Sequence, residues 1–178
     1  MVDLALLQSV SYIAGALGVC VAGFYYMMML REQGRSRKIS QTNELLKFYS
    51  TIEGWKVWGE LMKMSWSDYD DFENKYGSDN NLDNFAKRHV VWGQLDVVGN
   101  QMKAGLLDRE TTYNVSGTGA TFIWTKFKPV LEENRRRYTG KDTWAGLEYL
   151  AGEMLKMKLE RDPSYKIPDT FWTYVSDK

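Results

Sequence analysis

A single cysteine and a single histidine remove most metal and disulfide chemistry from this 178-residue chain before any other residue is read. Cys20 has no partner for an intrachain bridge, and one thiol with one imidazole cannot assemble a cysteine-based zinc site or a histidine-rich metal site. His89, standing alone, is expected as a satisfied or exposed side chain. Missing too are the usual signatures of active sites. There is no Gly-x-Ser-x-Gly, no Gly-x-x-x-x-Gly-Lys-Ser/Thr, no Gly-x-Gly-x-x-Gly and no His-Glu-x-x-His, and no cofactor is implied. Lys plus Arg number 23 and Asp plus Glu 23, so no excess of either sign points to nucleic acid. The mean hydropathy of -0.45 is too polar for a protein of many spans, so a membrane segment, if present, is isolated.

Charge is also absent locally. From Leu4 to Leu30 no charged residue occurs in 27 positions, whereas about 20 suffice for a helix to cross the hydrocarbon of a bilayer. Tyr12 near one end and Tyr25 and Tyr26 near the other stand where amphipathic rings favour the headgroups. Gln8, Ser9 and Ser11 weaken the first turns, which narrows the effective span to Ser11–Leu30. A cleaved signal peptide needs a basic start, and the charge ahead of this run is Asp3. A lipoprotein box around Cys20 needs a small residue before the cysteine, and Val19 is not small. The segment therefore reads as a retained anchor. Directly after it, Arg31, Arg35, Arg37 and Lys38 face Glu32 for a net of +3, and the chain beyond Lys38 nets -2. Basic residues stay on the cytoplasmic side, so the N-terminus is expected outside and the rest of the chain inside. The same four basic residues are expected to meet anionic headgroups at about 1 kcal/mol each. Ala14, Gly18 and Ala22 recur at every fourth position, flanked by Ser11, Gly15 and Gly23, and expect close approach of another helix. Met27, Met28 and Met29 read as apolar filler, since copper sites prefer spaced thioethers.

Beyond a basic hinge at 31–38, amphipathic periods of three and four residues predict an all-α bundle over 39–162. Ile39 to Met64 reads as one helix with Leu45, Phe48, Ile52, Trp55, Trp58 and Leu61 on its apolar face. Ser65 to Gly77 reads as a short helix capped by Ser67, with Trp66, Tyr69, Phe72 and Tyr76 inward. Its carboxylates Asp68, Asp70, Asp71 and Glu73 are expected as a solvated face. Asp79, Asn81 and Asp83 begin like a calcium loop, but Asn84 and Val90 stand where its glycine and glutamate belong. Leu82 to Ala104 forms the next helix, with Phe85, Val90 or Val91, Trp92, Leu95, Val98 and Met102 as its stripe. Gly105 closes it and Asp108 caps its successor, which predicts a helical hairpin. That successor is expected to run from Arg109 to about Tyr138, kinked near Thr125–Lys128 by Pro129. Arg135, Arg136 and Arg137 are expected to pair with Glu132 and Glu133, an acidic partner or lipid headgroup being the sharper alternative. A last helix, Trp144–Glu160, starts at Asp142 or Thr143 and stops at Asp162-Pro163. The tail, 163–178, carries Tyr165, Ile167, Phe171, Trp172 and Tyr174 and is expected to pack on the bundle or on a neighbour.

The run Gly105-Leu-Leu-Asp108, then Phe122-Ile-Trp124, Phe127, Pro129-Val130 and the arginines at 135–137, then Leu147-Glu-Tyr-Leu150, resembles a family of uncharacterised prokaryotic proteins. That family, a domain of unknown function with members from ammonia-oxidising and other archaea, has an N-terminal membrane helix before a helical domain. The resemblance implies fold and membrane location and transfers no catalytic residue. The expected architecture is all-α: a single transmembrane helix over 1–30, followed by a cytoplasmic helical bundle. The expected role is a membrane-anchored adaptor or accessory subunit acting through protein contacts, as a homo-oligomer or with a membrane-protein partner. The alternative is a membrane-tethered enzyme whose site gathers scattered carboxylates such as Glu148 and Glu153.

Overall fold

Alternation of apolar three- and four-residue spacings with capped breaks produces helices throughout. The computed structural model describes residues 4–168, at 4, 6, 38, 39, 41–46, 48 and 49 the backbone alone. Among the described residues there are seven α-helices and no strand: α1 (Leu4–Leu46), α2 (Ile52–Lys63), α3 (Tyr69–Tyr76), α4 (Leu82–Lys103), α5 (Arg109–Ser116), α6 (Gly119–Asn134) and α7 (Ala145–Arg161). The chain divides into two units, one ending at Gln41 and the other beginning at Thr42.

In the first unit α1 is helical straight through the basic segment expected as a hinge. Its apolar stretch exposes Leu7, Leu17, Phe24 and Met28 along its length. In place of one helix from Ile39 to Met64, α1 ends at Leu46, a 3-10 turn covers Lys47–Ser50, and α2 starts afresh. Thr51 causes the restart. Its backbone is extended and its hydroxyl accepts from Gly54 N at 2.9 Å, satisfying one of the free N–H groups of the new helix.

The second unit builds its core where α4 crosses α7, with α6 packed along α7 and α3 closing one side. Leu61, Phe72, Val91, Val98, Ile123, Phe127, Leu147 and Met154 are fully enclosed there. Val91 faces inward and Val90 outward, which resolves the choice that the period left open. Trp66 stacks on Phe127 at 5.4 Å, and Trp92 meets the edge of the same ring at 5.2 Å. Small residues permit the crossing: a methyl group at Gly99 would lie 1.8 Å from Gly146 O, and one at Gly146 would lie 2.2 Å from Asp96 O.

Several helix boundaries differ from the sequence expectation for local reasons. Asp68, one residue past Ser67, caps α3 by accepting from Asp71 N, while Ser67 N–H and hydroxyl donate back to the Asp71 carboxylate. The single helix expected from Arg109 breaks at Gly117, whose φ of 54° few other residues adopt, and α6 then runs through Pro129 unbroken. After α4, the helix α5 is clamped to α7: Arg109 sits 3.1 Å from Glu153 and 3.0 Å from Glu160, and Arg161 pairs with Glu110. Neither Asp142 nor Thr143 caps α7. That duty falls to Asp96 of α4, whose Oδ1 accepts from Leu147 N at 3.0 Å. Asp96→Ala is expected to lower unfolding free energy by about 1 kcal/mol, with Asp96→Asn closer to the native value, read by chemical denaturation. Asp162 ends α7 as anticipated. Tyr165 and Ile167 are half-buried, whereas Phe171, Trp172 and Tyr174 lie outside the described residues.

Candidate functional site

Three features separate themselves from the ordinary core: the uncovered apolar helix, a set of buried cations, and a surface groove. The first is α1. Its portion from Leu7 to Arg37 is long and apolar enough to cross a membrane, with none of it buried within the chain. Four-residue spacing aligns Ala14, Gly18 and Ala22 on one line of this helix, all exposed, with open space beyond Gly18. Arg31, Arg35 and Arg37 are exposed on the same helix, and Lys38 follows in its backbone.

The second feature was not singled out from the sequence. Arg88 is only 2% exposed and Lys126 only 1%, although long cationic side chains are almost never fully enclosed without partners. Each meets a helix C-terminus, where carbonyls lack intrahelical donors. Lys126 Nζ donates to Met62 O and Met64 O, both at 2.8 Å, at the end of α2, and lies 5.3 Å from the centre of the Trp66 ring. Burial pushes its pKa down to about 8. Arg88 donates from Nη2 to Tyr76 O at the end of α3, and from Nε to Asn84 Oδ1 at 2.9 Å. Its guanidinium lies over Phe72, Trp92 and Phe85 at 4.5, 5.2 and 5.7 Å, and burial lowers its pKa to about 10. A sequence signal exists for both. Arg88 stands three residues after Phe85 and four before Trp92, and Lys126 three after Ile123 and four before Val130, so each occupies a core position of its helix.

Around Arg88 lies a small cavity of about 50 Å³ between α3, α4, α6 and the turn into α7. His89 forms part of its wall. The His89 Nδ1 meets Phe85 O at 2.9 Å, which requires that nitrogen to carry the proton, and burial holds the imidazole pKa below its ordinary value. Trp144 closes the box, its ring centroid 5.6 Å from His89 and 5.8 Å from Trp92. Its backbone is left-handed, with φ 61°, where a bulky side chain is strained. Tyr69 lines the neighbouring polar edge. Burial raises its pKa, the Asn134 amide offsets part of that rise, and Glu73 adds to it.

The third feature is a groove of about 180 Å³ beside α2, lined by Gly54, Trp55, Trp58, Leu95, Val115 and Gly119 among others. Trp55 is 65% exposed and Ile52 is 78% exposed, although both belong to the apolar stripe that the sequence would place inward. Farther along the same stripe, Leu61 reaches the core and Trp58 packs against it.

Glu148 and Glu153 turn to different partners. Glu148 is held by Arg135 at 2.8 Å and Glu153 by Arg109, so the pair considered as acid and base is drawn to different elements. Asp70 pairs with Arg137 at 2.7 Å and Asp71 with Lys75 at 2.8 Å. No group of three or more His, Cys, Asp or Glu side chains able to hold a metal ion occurs among the described residues. The arginine run is likewise engaged within the chain: Arg136 and Arg137 pair with Glu133, whose carboxyl they hold down at about 2, and Arg135 also donates to Thr143 O.

A family model described as a domain of unknown function, DUF4760, matches residues 12–154. The matched span contains all the motifs on which the resemblance rested, from Gly105 to Leu150, and begins within the apolar part of α1. No curated protein and no solved structure matches the chain.

Proposed function

The chain belongs to the DUF4760 family, a domain of unknown function, and from its own residues we propose that it is a membrane-anchored helical adaptor or accessory subunit. In this reading α1 crosses the cell membrane once, with the residues before it outside and the helical domain in the cytoplasm. The observation that carries it is the apolar stretch within Leu7–Arg37, of which no part is buried in the chain. An uncovered surface of that length in water is unfavourable, whereas lipid accepts it readily. The family match supports retention of the segment, since it includes the chain from Tyr12 onward. Orientation rests on Arg31, Arg35, Arg37 and Lys38, which follow the apolar run and would meet the cytoplasmic headgroups.

Contact with a partner protein, or a second copy, is assigned to the Trp55 groove. Large aromatic side chains left in water beside an apolar depression are the usual anchors of interfaces. A second contact is the line Ala14, Gly18, Ala22, which lets another membrane helix approach closely.

Both parts are open to test on the full chain. High-salt washing of membranes is expected to leave the protein in the pellet, and protease added outside intact cells is expected to spare the tryptophan-bearing domain. Release by salt, or digestion from outside, overturns the anchor or its orientation. After gentle detergent extraction, Trp55→Glu is expected to remove most of the co-purifying partner while leaving the melting temperature within about 2 °C, as for an exposed site. Gly18→Leu is expected to shrink any detergent-stable assembly toward the monomer. An assembly unchanged in both variants, or a lone monomer in the native protein, removes the adaptor reading.

A further inference from the structure

A buried cation ordinarily has a counter-ion, because removing a charge from water costs several kcal/mol unless an opposite charge or a full set of hydrogen bonds replaces the solvent. Arg88 forms no ion pair among the described residues. Of its guanidinium nitrogens, Nε and Nη2 are bonded, to an amide oxygen and a backbone carbonyl, both neutral. Nη1 takes no hydrogen bond among the described residues, and the three aromatic faces around the group supply only a weak quadrupolar compensation. Beside it Trp92 is buried, and its Nε1–H has no acceptor among the described residues. Trp92, with its orphaned indole donor, and Arg88, with no ion pair among the described residues, thus both line one cavity of about 50 Å³. By this measure about 10–15 Å³ accommodates a water, so the space suits one small anion or a few waters and excludes a phosphate ester or an aromatic ligand.

We propose that this cavity binds a small monovalent anion, a carboxylate such as formate or acetate or else a halide, held by the Arg88 guanidinium and the Trp92 indole N–H. The other walls agree with that assignment. Glu73, the acid lining the cavity, acts on Arg88 only from beyond ion-pair distance and interacts with the Tyr69 hydroxyl, so it does not occupy the counter-ion position. The Asn134 amide points toward the same hydroxyl, at 3.5 Å. Neutral His89, its Nδ1 proton spent on Phe85 O, adds no competing fixed charge. Trp144, the residue in strained backbone, also lines the cavity, and such strain concentrates at ligand clamps.

The test uses full-length protein in detergent micelles with nitrogen-15 in its indoles, titrated with sodium formate or sodium chloride against sodium gluconate at constant ionic strength. The Trp92 indole resonance, identified by its absence in Trp92→Phe, is expected to shift and saturate with at least one small anion. A response to formate alone assigns a carboxylate site, and a response to chloride assigns a halide site. In Trp92→Phe, which keeps an aromatic ring and removes the donor, the concentration needed to raise the melting temperature should increase about tenfold, as for one lost hydrogen bond to a charged group. No saturating shift with either salt, or the same shift with gluconate, overturns the proposal and leaves the cavity to water.

Discussion

Alanine at Gly146 is expected to destabilise the helical domain by about 3 kcal/mol or more, the upper range of overpacking, and alanine at Gly99 by at least as much. At Gly146 the added methyl would fall 2.2 Å from Asp96 O and 2.7 Å from the Asn100 side chain; at Gly99 it would fall 1.8 Å from Gly146 O. Those obstacles are mainly backbone, so a rotamer change cannot relieve them and α4 and α7 would have to move apart. Separation would also stretch the Asp96 cap on Leu147 N and loosen Trp144 from His89 and Trp92. A domain holding only about 5–15 kcal/mol of stability feels such a loss as a large fraction of the whole. The same helices supply the control. Gly93 in α4 and Gly152 in α7 have open space where a methyl would go, and alanine there is expected to add about 0.5–1 kcal/mol through helix propensity alone. Denaturation followed by tryptophan fluorescence reads all four variants. If Gly146→Ala melts with the native protein, the two helices do not cross at this separation.

What the sequence could disclose divides along the range of the interaction involved. The extent of α4 was readable because its signals are local: a cluster of turn residues precedes Leu82, an apolar stripe follows, and Gly105, with φ 72°, ends it. Phe72 and Trp66 were readable as buried for the same reason. In the next segment sequence pattern weights proline over glycine as the breaker, whereas Pro129 only removes one donor within α6 and Gly117, in the left-handed region, ends α5. The cap of α7 was out of reach. Asp96 lies 51 residues from Leu147, and nothing near Trp144 advertises an acceptor supplied from another helix. Exposure of Ile52 and Trp55 was equally hidden, since periodicity states that a face is apolar without stating whether anything covers it. Arg88 and Lys126 show the converse: a cation within an apolar stripe reads as an interruption until the carbonyl ends of α3 and α2 are placed against it. The long apolar helix at the start of the chain is legible from composition, because a charge-free run needs no tertiary context to be recognised as one.

Lys126→Met is expected to lower stability by about 2 kcal/mol near neutral pH, and, more tellingly, to abolish a rise in stability that the native protein should display on the alkaline side. Two hydrogen bonds from a charged donor, to Met62 O and Met64 O, disappear in the variant. Each is worth about 1.5–3 kcal/mol, and relief from burying an ammonium returns part of it. Methionine retains most of the aliphatic stem against Trp66, so lost packing contributes little. The sign of the pH effect follows from proton counting. Burial brings the Lys126 pKa down from 10.5 to about 8 in the folded chain. Below about pH 8 both states hold the proton and no slope arises from this group. Between there and 10.5 the unfolded chain binds more protons than the folded one, so unfolding free energy increases with pH. The neutral amine still donates to both carbonyls while its desolvation cost vanishes. Tyr69 sets the upper limit of a clean window: its pKa is raised by burial, so the folded state keeps its phenolic proton longer and stability falls once pH exceeds about 10. Denaturation curves at pH 7.5, 8.5 and 9.5 on the native protein and on Lys126→Met isolate the effect, because groups common to both cancel. A difference between the two proteins that widens across this series places the ammonium where the carbonyls of α2 enclose it, and a constant difference places it in water.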